Sequence, residues 1–252
     1  MSDSLIRLDN ISKSFGRMKV LESISLDVQA GESICVIGLS GTGKSVLLKH
    51  LIRLMSPDSG RVLFEGKDIG EFDTDALVTM RRRFGMLFQG AALFDSMTVA
   101  ENVGLSLLES RSHSREQIDE IVMEKLDMVG MADSREKLPS ELSGGMRKRV
   151  GLARAIATNP DILLYDEPTS GLDPVTSDVI DDLIVELNQK LHVTSITVTH
   201  DMRSAFKIAD RIVMLYGGRV EFDGTPDQVR SNPNPILQQF ISGSARGPIR
   251  VA

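Results

Sequence analysis

The 252 residues carry a formal net charge of -6, with 41% hydrophobic and 25% charged side chains. That is ordinary globular composition, with ample apolar material for a core and no broad basic face for nucleic acid or anionic lipid. One cysteine, Cys35 in "SICVIG", excludes an intrachain disulfide and fits a reducing cytoplasm. The start "MSDSLIRLDN" lacks the pattern of a signal peptide, and no stretch approaches the roughly 18 apolar residues of a membrane helix. Work at a membrane would therefore need another protein as anchor. The basic runs Arg81-Arg82-Arg83 and Arg147-Lys148-Arg149 are expected to be solvated or partner-facing patches.

Along the chain, "KSVLLKHLIRLM" (44–55) is predicted helical, with Val46, Leu47, Leu51 and Leu54 close to one face. "RVLFEG" (61–66) and "FGMLFQ" (84–89) read as short buried strands. From about Ala91 to Ala157 the pattern is helical, clearest in "REQIDEIVMEKLDMVGM" (115–131), and reads as a helical insertion. "DILLYDE" (161–167) and "TSITVTH" (194–200) are again strands, and "DVIDDLIVELNQKL" (178–191) between them is a helix. Strands alternating with helices indicate an α/β core with a mainly parallel sheet. "DRIVMLYGGRVEFDG" (210–224) reads as a hairpin turning at Gly217-Gly218. The tail after Gly224 shows short helical patterns and ends in an irregular "SGSARGPIRVA".

"GLSGTGKS", Gly38 to Ser45, follows the apolar run "SICVI" and opens a helix, the context a phosphate-binding loop requires. Gly38, Gly41 and Gly43 let the backbone curl so that N–H groups converge on phosphate oxygens. The helix N-terminus adds partial positive charge. Lys44 supplies a point charge to the β- and γ-phosphates, and the Ser45 hydroxyl completes the shell of a Mg²⁺ ion. The matching acids are Asp166 and Glu167, ending the strand "ILLYDEP". Asp166 would hold Mg²⁺, directly or through water. Glu167 would deprotonate the water that attacks the γ-phosphate. A second turn of the same look, "ELSGGMRKRV" (141–150), has no acid pair of its own.

With these pieces in order, the chain resembles the ATP-binding cassette ATPases over nearly its whole length. "LSGGM" (142–146) is similar to that family's signature, whose commoner form ends in glutamine; Met146 cannot make that amide's hydrogen bonds. Gln89 resembles the Q-loop glutamine, Asp173 in "SGLDP" the D-loop, His200 in "TVTHD" the switch histidine, and Phe15 in "SKSFG" the aromatic that stacks on adenine. Singly, Phe15 could be a core residue, His200 a surface histidine and Gln89 a strand end; their joint order favours the family.

The resemblance implies an α/β fold with a P-loop NTPase (RecA-like) core, an antiparallel β subdomain and an inserted helical subdomain. Residues 1–90 and 158–224 would form the nucleotide-binding core, 91–157 the helical signature subdomain and 225–252 C-terminal helices and tail, all within one domain, 1–252. The family's nucleotide contacts map onto Phe15, Gly38, Ser40, Gly41, Thr42, Gly43, Lys44, Ser45 and Val46. Ser45, Gln89 and Asp166 map onto the metal site. It also implies why two cradles share one acid pair. Two cassettes pair head to tail, and each ATP lies between one chain's phosphate loop and the other's Ser143, Gly144 and Gly145, close to Asp173.

"GAALFDSMTVAENV", "LPSELSGGMRKRVGLARAIA" and the tail "NPNPILQQFISGSARGPI", through Phe240, Gly243 and Gly247-Pro248, are similar to the ATPases of lipid-asymmetry (Mla-type) transporters. That likeness implies an integral membrane permease, MCE-domain lipid-binding proteins and a place on the cytoplasmic face of the inner membrane. The alternatives are a polar amino-acid importer and a nucleotide-dependent membrane scaffold. The tail from Phe240 is expected either to brace the dimer or permease, or to be a disordered end.

Overall fold

A computed structural model describes residues 4–250. Two compact units emerge, one from the residues up to Leu77 together with those from Ile196 onward, the other from Val78–Ser195. The first opens on the antiparallel pair β1 (Ile6–Phe15) and β2 (Met18–Val28). Clean alternation does not announce either strand, because the register shifts between Leu8 and Ile11 and again beyond. Asn10 (φ 50°) in β1 and Ser23 (φ 52°) in β2 take left-handed backbone. Buried residues thus mix spacings of two and three: Ile6, Leu8 and Ile11 on one strand, Leu21, Ile24 and Leu26 on the other.

Next come β3 (Ser33–Ile37), α1 (Lys44–Leu51), β4 (Ser59–Phe64) and the short β5 (Lys67–Asp68). β4 pairs with β1, completing a four-stranded sheet in the order β2-β1-β4-β5. Helix α1 is shorter than its periodicity predicts. It stops at Leu51, Arg53 turns at φ 51°, and Leu54 is 53% exposed rather than on a buried helical face.

Helix α2 (Thr74–Arg81) leads into the second unit, which contains β6 (Phe84–Leu87), α3 (Val99–Ser110), α4 (Arg115–Met128), α5 (Gly144–Ile156), β7 (Ile162–Asp166) and α6 (Pro174–Leu191). No strand interrupts the stretch from Leu87 to Ile162. Reciprocal capping fixes the starts of α3 (Thr98 with Glu101) and α4 (Ser114 with Gln117). β6 and β7 run parallel, from Phe84 opposite Ile162 to Leu87 opposite Tyr165. All of β7 is buried, and such strands read as unbroken apolar runs. The Tyr165 hydroxyl donates to Asn188 Oδ1 (2.9 Å) and Asn188 Nδ2 to Ser195 Oγ (2.9 Å), tying β7 to α6 through a satisfied buried chain.

Strand β8 (Thr194–Thr199) carries the chain back to the first unit, followed by α7 (Met202–Ile208), β9 (Arg211–Tyr216), β10 (Arg219–Gly224), α8 (Pro226–Ser231) and α9 (Pro235–Ser242). Strand order there is β10-β9-β3-β8. β3 and β9 are parallel, while β9 and β10 form the predicted antiparallel hairpin, with Arg219 opposite Tyr216 across Gly217-Gly218. No described helix is long and apolar enough to cross a membrane.

The tail beyond α9 is irregular but tied down. Ile249, 6% exposed, packs into a cluster with Cys35, Ile37, Met214 and Leu237. The Gln239 amide grips it: Ile249 N–H donates to Oε1 (2.7 Å), and Nε2 donates to the carbonyls of Ile249 and Ser244 (3.1 Å each). Ile249→Ala should therefore cost about 2 kcal/mol of stability, the low end for a core isoleucine. A urea midpoint unchanged from wild type would show that the tail contributes nothing.

Candidate functional site

Strand β3, fully buried from Ile34 to Ile37, delivers the chain into the loop at Gly38, whose tip residues Ser40 and Gly41 are exposed. The loop curls on itself through Thr42, whose N–H (3.3 Å) and hydroxyl (2.8 Å) both donate to Leu39 O. Gly43 stands at the N-cap of α1 with φ 93°. A Cβ there would lie 2.8 Å from Val20 Cγ1 and 2.9 Å from Leu21 Cδ2, so no other residue fits. With glycine at the cap, no side chain occupies the positive end of α1, which suits an incoming anion.

Lys44, 6% exposed, folds its ammonium back over the loop to the carbonyls of Gly38 (2.8 Å) and Leu39 (3.1 Å). Ser45 and Val46 follow in the first turn, half-buried. The same unit presents Phe15, 44% exposed at the β1–β2 turn opposite Met18, which rules out a core role and leaves an apolar surface suited to a flat ring. His200 is exposed at the end of β8, just before Asp201 caps α7 by accepting from Arg203 N–H (2.8 Å).

In the second unit, parallel pairing of β6 with β7 aligns their C-terminal ends. Gln89 lies two residues beyond Leu87, and Glu167 two beyond its register partner Tyr165. Gln89 is exposed, and its Nε2 donates to Ser170 Oγ (3.3 Å). Asp166 and Glu167 are 7% and 8% exposed.

The signature opens α5. Ser143 is its exposed N-cap, accepting from Met146 N–H (3.2 Å), followed by half-buried Gly144 and buried Gly145. At Gly145 a Cβ would come within 2.6 Å of Thr176 Cγ2, so a side chain there would have to displace Thr176 on α6. Asp173 caps α6, accepting from Val175 and Thr176 N–H (3.0 Å each) and the Thr176 hydroxyl. That hydroxyl, with the two N–H groups, holds the Asp173 carboxyl below its ordinary range. The second unit thus brings Gln89, Ser143, Asp166, Glu167 and Asp173 onto neighbouring elements.

The basic run 147–149 is solvated only in part: Arg147 is exposed and Arg149 half-buried, but Lys148 is buried. Lys148 is 4% exposed, and its ammonium donates to the carbonyls of Gln89 and Glu167 (3.0 Å to the latter). Burial pulls its pKa down to about 8, opposed by the Asp166 and Glu167 carboxylates. Arg149 reaches Val129 O (3.1 Å) and Arg147 reaches Leu142 O (2.6 Å). The helical spacing 145–148–152–156 along α5, all buried, is the signal that places Lys148 inside.

The ABC transporter family model matches residues 21–170, from β2 through the phosphate loop, Gln89, the signature and Glu167. The chain is 45% identical over 227 residues to the methionine import ATP-binding protein MetN of Carboxydothermus hydrogenoformans, covering 90% of this chain and 67% of that protein. It is 39% identical over 246 residues to the intermembrane phospholipid transport system ATP-binding protein MlaF of Escherichia coli, covering 98% of this chain and 91% of that one. A solved structure of the ATP-binding cassette MJ0796, a post-hydrolysis dimer bound to ADP and Pi, matches with a TM-score of 0.79 and 33% identity over 87% of this chain and 98% of the other. The chain belongs to the ABC transporter family, has its P-loop NTPase fold, and is an ATP-hydrolysing cassette.

Proposed function

We propose that this cassette is the ATPase of a phospholipid transporter, working as an ATP-dependent head-to-tail homodimer under an integral membrane permease. What carries the reading is the extent of the match. The relative named for intermembrane phospholipid transport is covered over 91% of its length, the one named for methionine import over 67%. The Mla-like tail adds to it, because Ile249 and Gln239 build that segment into the fold. The higher identity to the methionine-import relative, 45% against 39%, supports a second reading as a small-solute importer.

In the proposed mechanism the N–H groups of Gly38, Ser40, Gly41, Thr42 and Gly43, with Val46 in the first helical turn, hold the phosphates. Lys44 leaves its loop carbonyls for the β- and γ-oxygens, and Phe15 stacks on adenine. Ser45, Gln89 and Asp166 would hold a Mg²⁺ ion, which would supply positive charge against the phosphates. One carboxylate with neutral oxygens suits an ion that keeps waters and phosphates in its shell; among the described residues no group of three His, Cys, Asp or Glu forms a metal cage. Glu167 takes the proton of the attacking water, and His200 steadies the γ-phosphate. The partner copy's Ser143, Gly144 and Gly145 close each site, with Asp173 alongside. Residues 91–157 act as the helical signature subdomain, 1–90 and 158–224 as the nucleotide core, and 225–252 as the C-terminal helices and tail.

The permease is proposed to dock on a cleft of about 470 Å³ in the second unit. Val78, Phe84 and Leu107 give it apolar walls, Arg81, Arg82 and Glu109 charged ones, and His113 a polar one, a mixture that fits an amphipathic helix. Its member Phe84 begins β6, which ends two residues before Gln89, so docking acts on the strand that leads into the Q-loop. The permease holds the cassette at the cytoplasmic face of the inner membrane, with an MCE-domain protein beyond it. Purifying the tagged chain from native membranes in mild detergent tests this. A permease, an MCE-domain protein and stoichiometric phospholipid are expected. A permease accompanied by an amino-acid-binding protein would replace lipid with a small solute.

A further inference from the structure

Three residues around Gln89 and at Glu167 hold a backbone that side chains disfavour: Ala91 (φ 61°), Ala92 (φ 49°) and Glu167 (φ 47°). Such conformations persist only where the surroundings over-determine them. Helix α5 supplies that restraint. Arg154 donates to the carbonyls of Ala92 and Ala91, both at 2.6 Å. Gly151 lets the helix come so close that a Cβ would lie 2.6 Å from Leu87 Cδ1 and 3.3 Å from Ala91 Cβ. Nearest the signature, the buried Lys148 ammonium spans from Gln89 O to Glu167 O.

We propose that Lys148 is a positioning residue for hydrolysis, a tie that fixes the backbone of Gln89 to the backbone of Glu167 and registers both against the signature helix. The inference rests on the roles given above to Gln89 and Glu167. Lysine suits the task because one ammonium has three donors and a flexible stem, so a single head group serves carbonyls from two loops. Gln89 and Glu167 each lie two residues beyond the last register pair of β6 and β7, Leu87 opposite Tyr165, and the Lys148 ammonium meets the carbonyls of both. A displacement of the 89–92 segment is thus passed to Glu167 by a head group that both backbones share. The predicted consequence is specific: loss of the tie misplaces the base and leaves nucleotide binding alone.

The test compares steady-state ATP hydrolysis by Lys148→Met, Lys148→Arg and Glu167→Gln. In Lys148→Met, kcat should fall ten- to about a hundredfold, the range expected from a small misplacement of a catalytic group, while KM for ATP stays within about threefold. Lys148→Arg, with a charged fork able to reach two carbonyls, should recover most of the lost rate. Should Lys148→Met fail to fold, Lys148→Gln, shorter and with one donor group, takes its place with the same expectation. A kcat within about twofold of wild type, a parallel loss of ATP binding, or no recovery with arginine each overturns the proposal. Glu167→Gln separates the two levels. If it is inactive while Lys148→Met is normal, only the tie falls; if it turns over freely, the base and the tie fall together.

Discussion

Glu167→Gln should leave the protein folded and able to bind ATP while hydrolysis falls by roughly 10²–10⁴-fold, the contribution of a placed general base. The substitution is nearly isosteric, and the site gives little room for anything else, since Glu167 is 8% exposed and its backbone is held by Lys148. An amide cannot accept the proton of the attacking water, yet it removes no phosphate contact. Because hydrolysis is what releases the proposed clamp, the variant should accumulate as an ATP-bound dimer. Size-exclusion chromatography with and without ATP, beside phosphate release, checks both halves. Near-normal turnover would remove Glu167 as the base. Lost hydrolysis with no ATP-dependent dimer would keep the base and overturn the clamp.

Residues whose role depends on local backbone were the ones legible in the sequence. The loop "GLSGTGKS" announces a strand, a turn and a helix in one motif, and the acids at 166–167 end a strand whose five residues are all buried. Period-based reading failed where the period itself is broken. β1 and β2 shift register beside Asn10 and Ser23, so the alternation of their buried residues breaks there. Leu54 continues the apolar pattern of α1 past the point where Arg53 has already left the helix.

Lys148 was hidden for a different reason. Its two neighbours are basic and more exposed, and charge is normally read as solvation, but its amine meets carbonyl partners from elements 59 and 19 residues away. Partners so distant in the chain leave no local trace. Ile249 is the same case in apolar form: "SGSARGPIR" looks like a disordered end until Gln239 is seen to grip it.

Ser143→Arg should abolish most ATPase activity, by about two orders of magnitude if the serine and its adjacent N–H groups act on phosphate as fixed dipoles do on developing charge. Loss of the N-cap bond to Met146 N–H, with a cation at the positive end of α5, costs stability on the order of 1 kcal/mol. Ser143 is exposed, so nothing in the core is disturbed, and a thermal melt separates this small effect from the large catalytic one. Lys44→Ala should be inactive as well, because the loop loses its only lysine. The two defects differ in which chain they spoil. In a head-to-tail dimer a mixed pair has one site with both lesions and one with neither. An equimolar mixture of the two inactive proteins should therefore regain roughly a quarter of wild-type activity, since half of the dimers are mixed and each keeps one of two sites. Such recovery cannot arise within either chain, and it would place Ser143 on the partner's nucleotide. Unchanged activity in Ser143→Arg alone would mean that the second cradle holds no phosphate, and the head-to-tail arrangement would have to be abandoned.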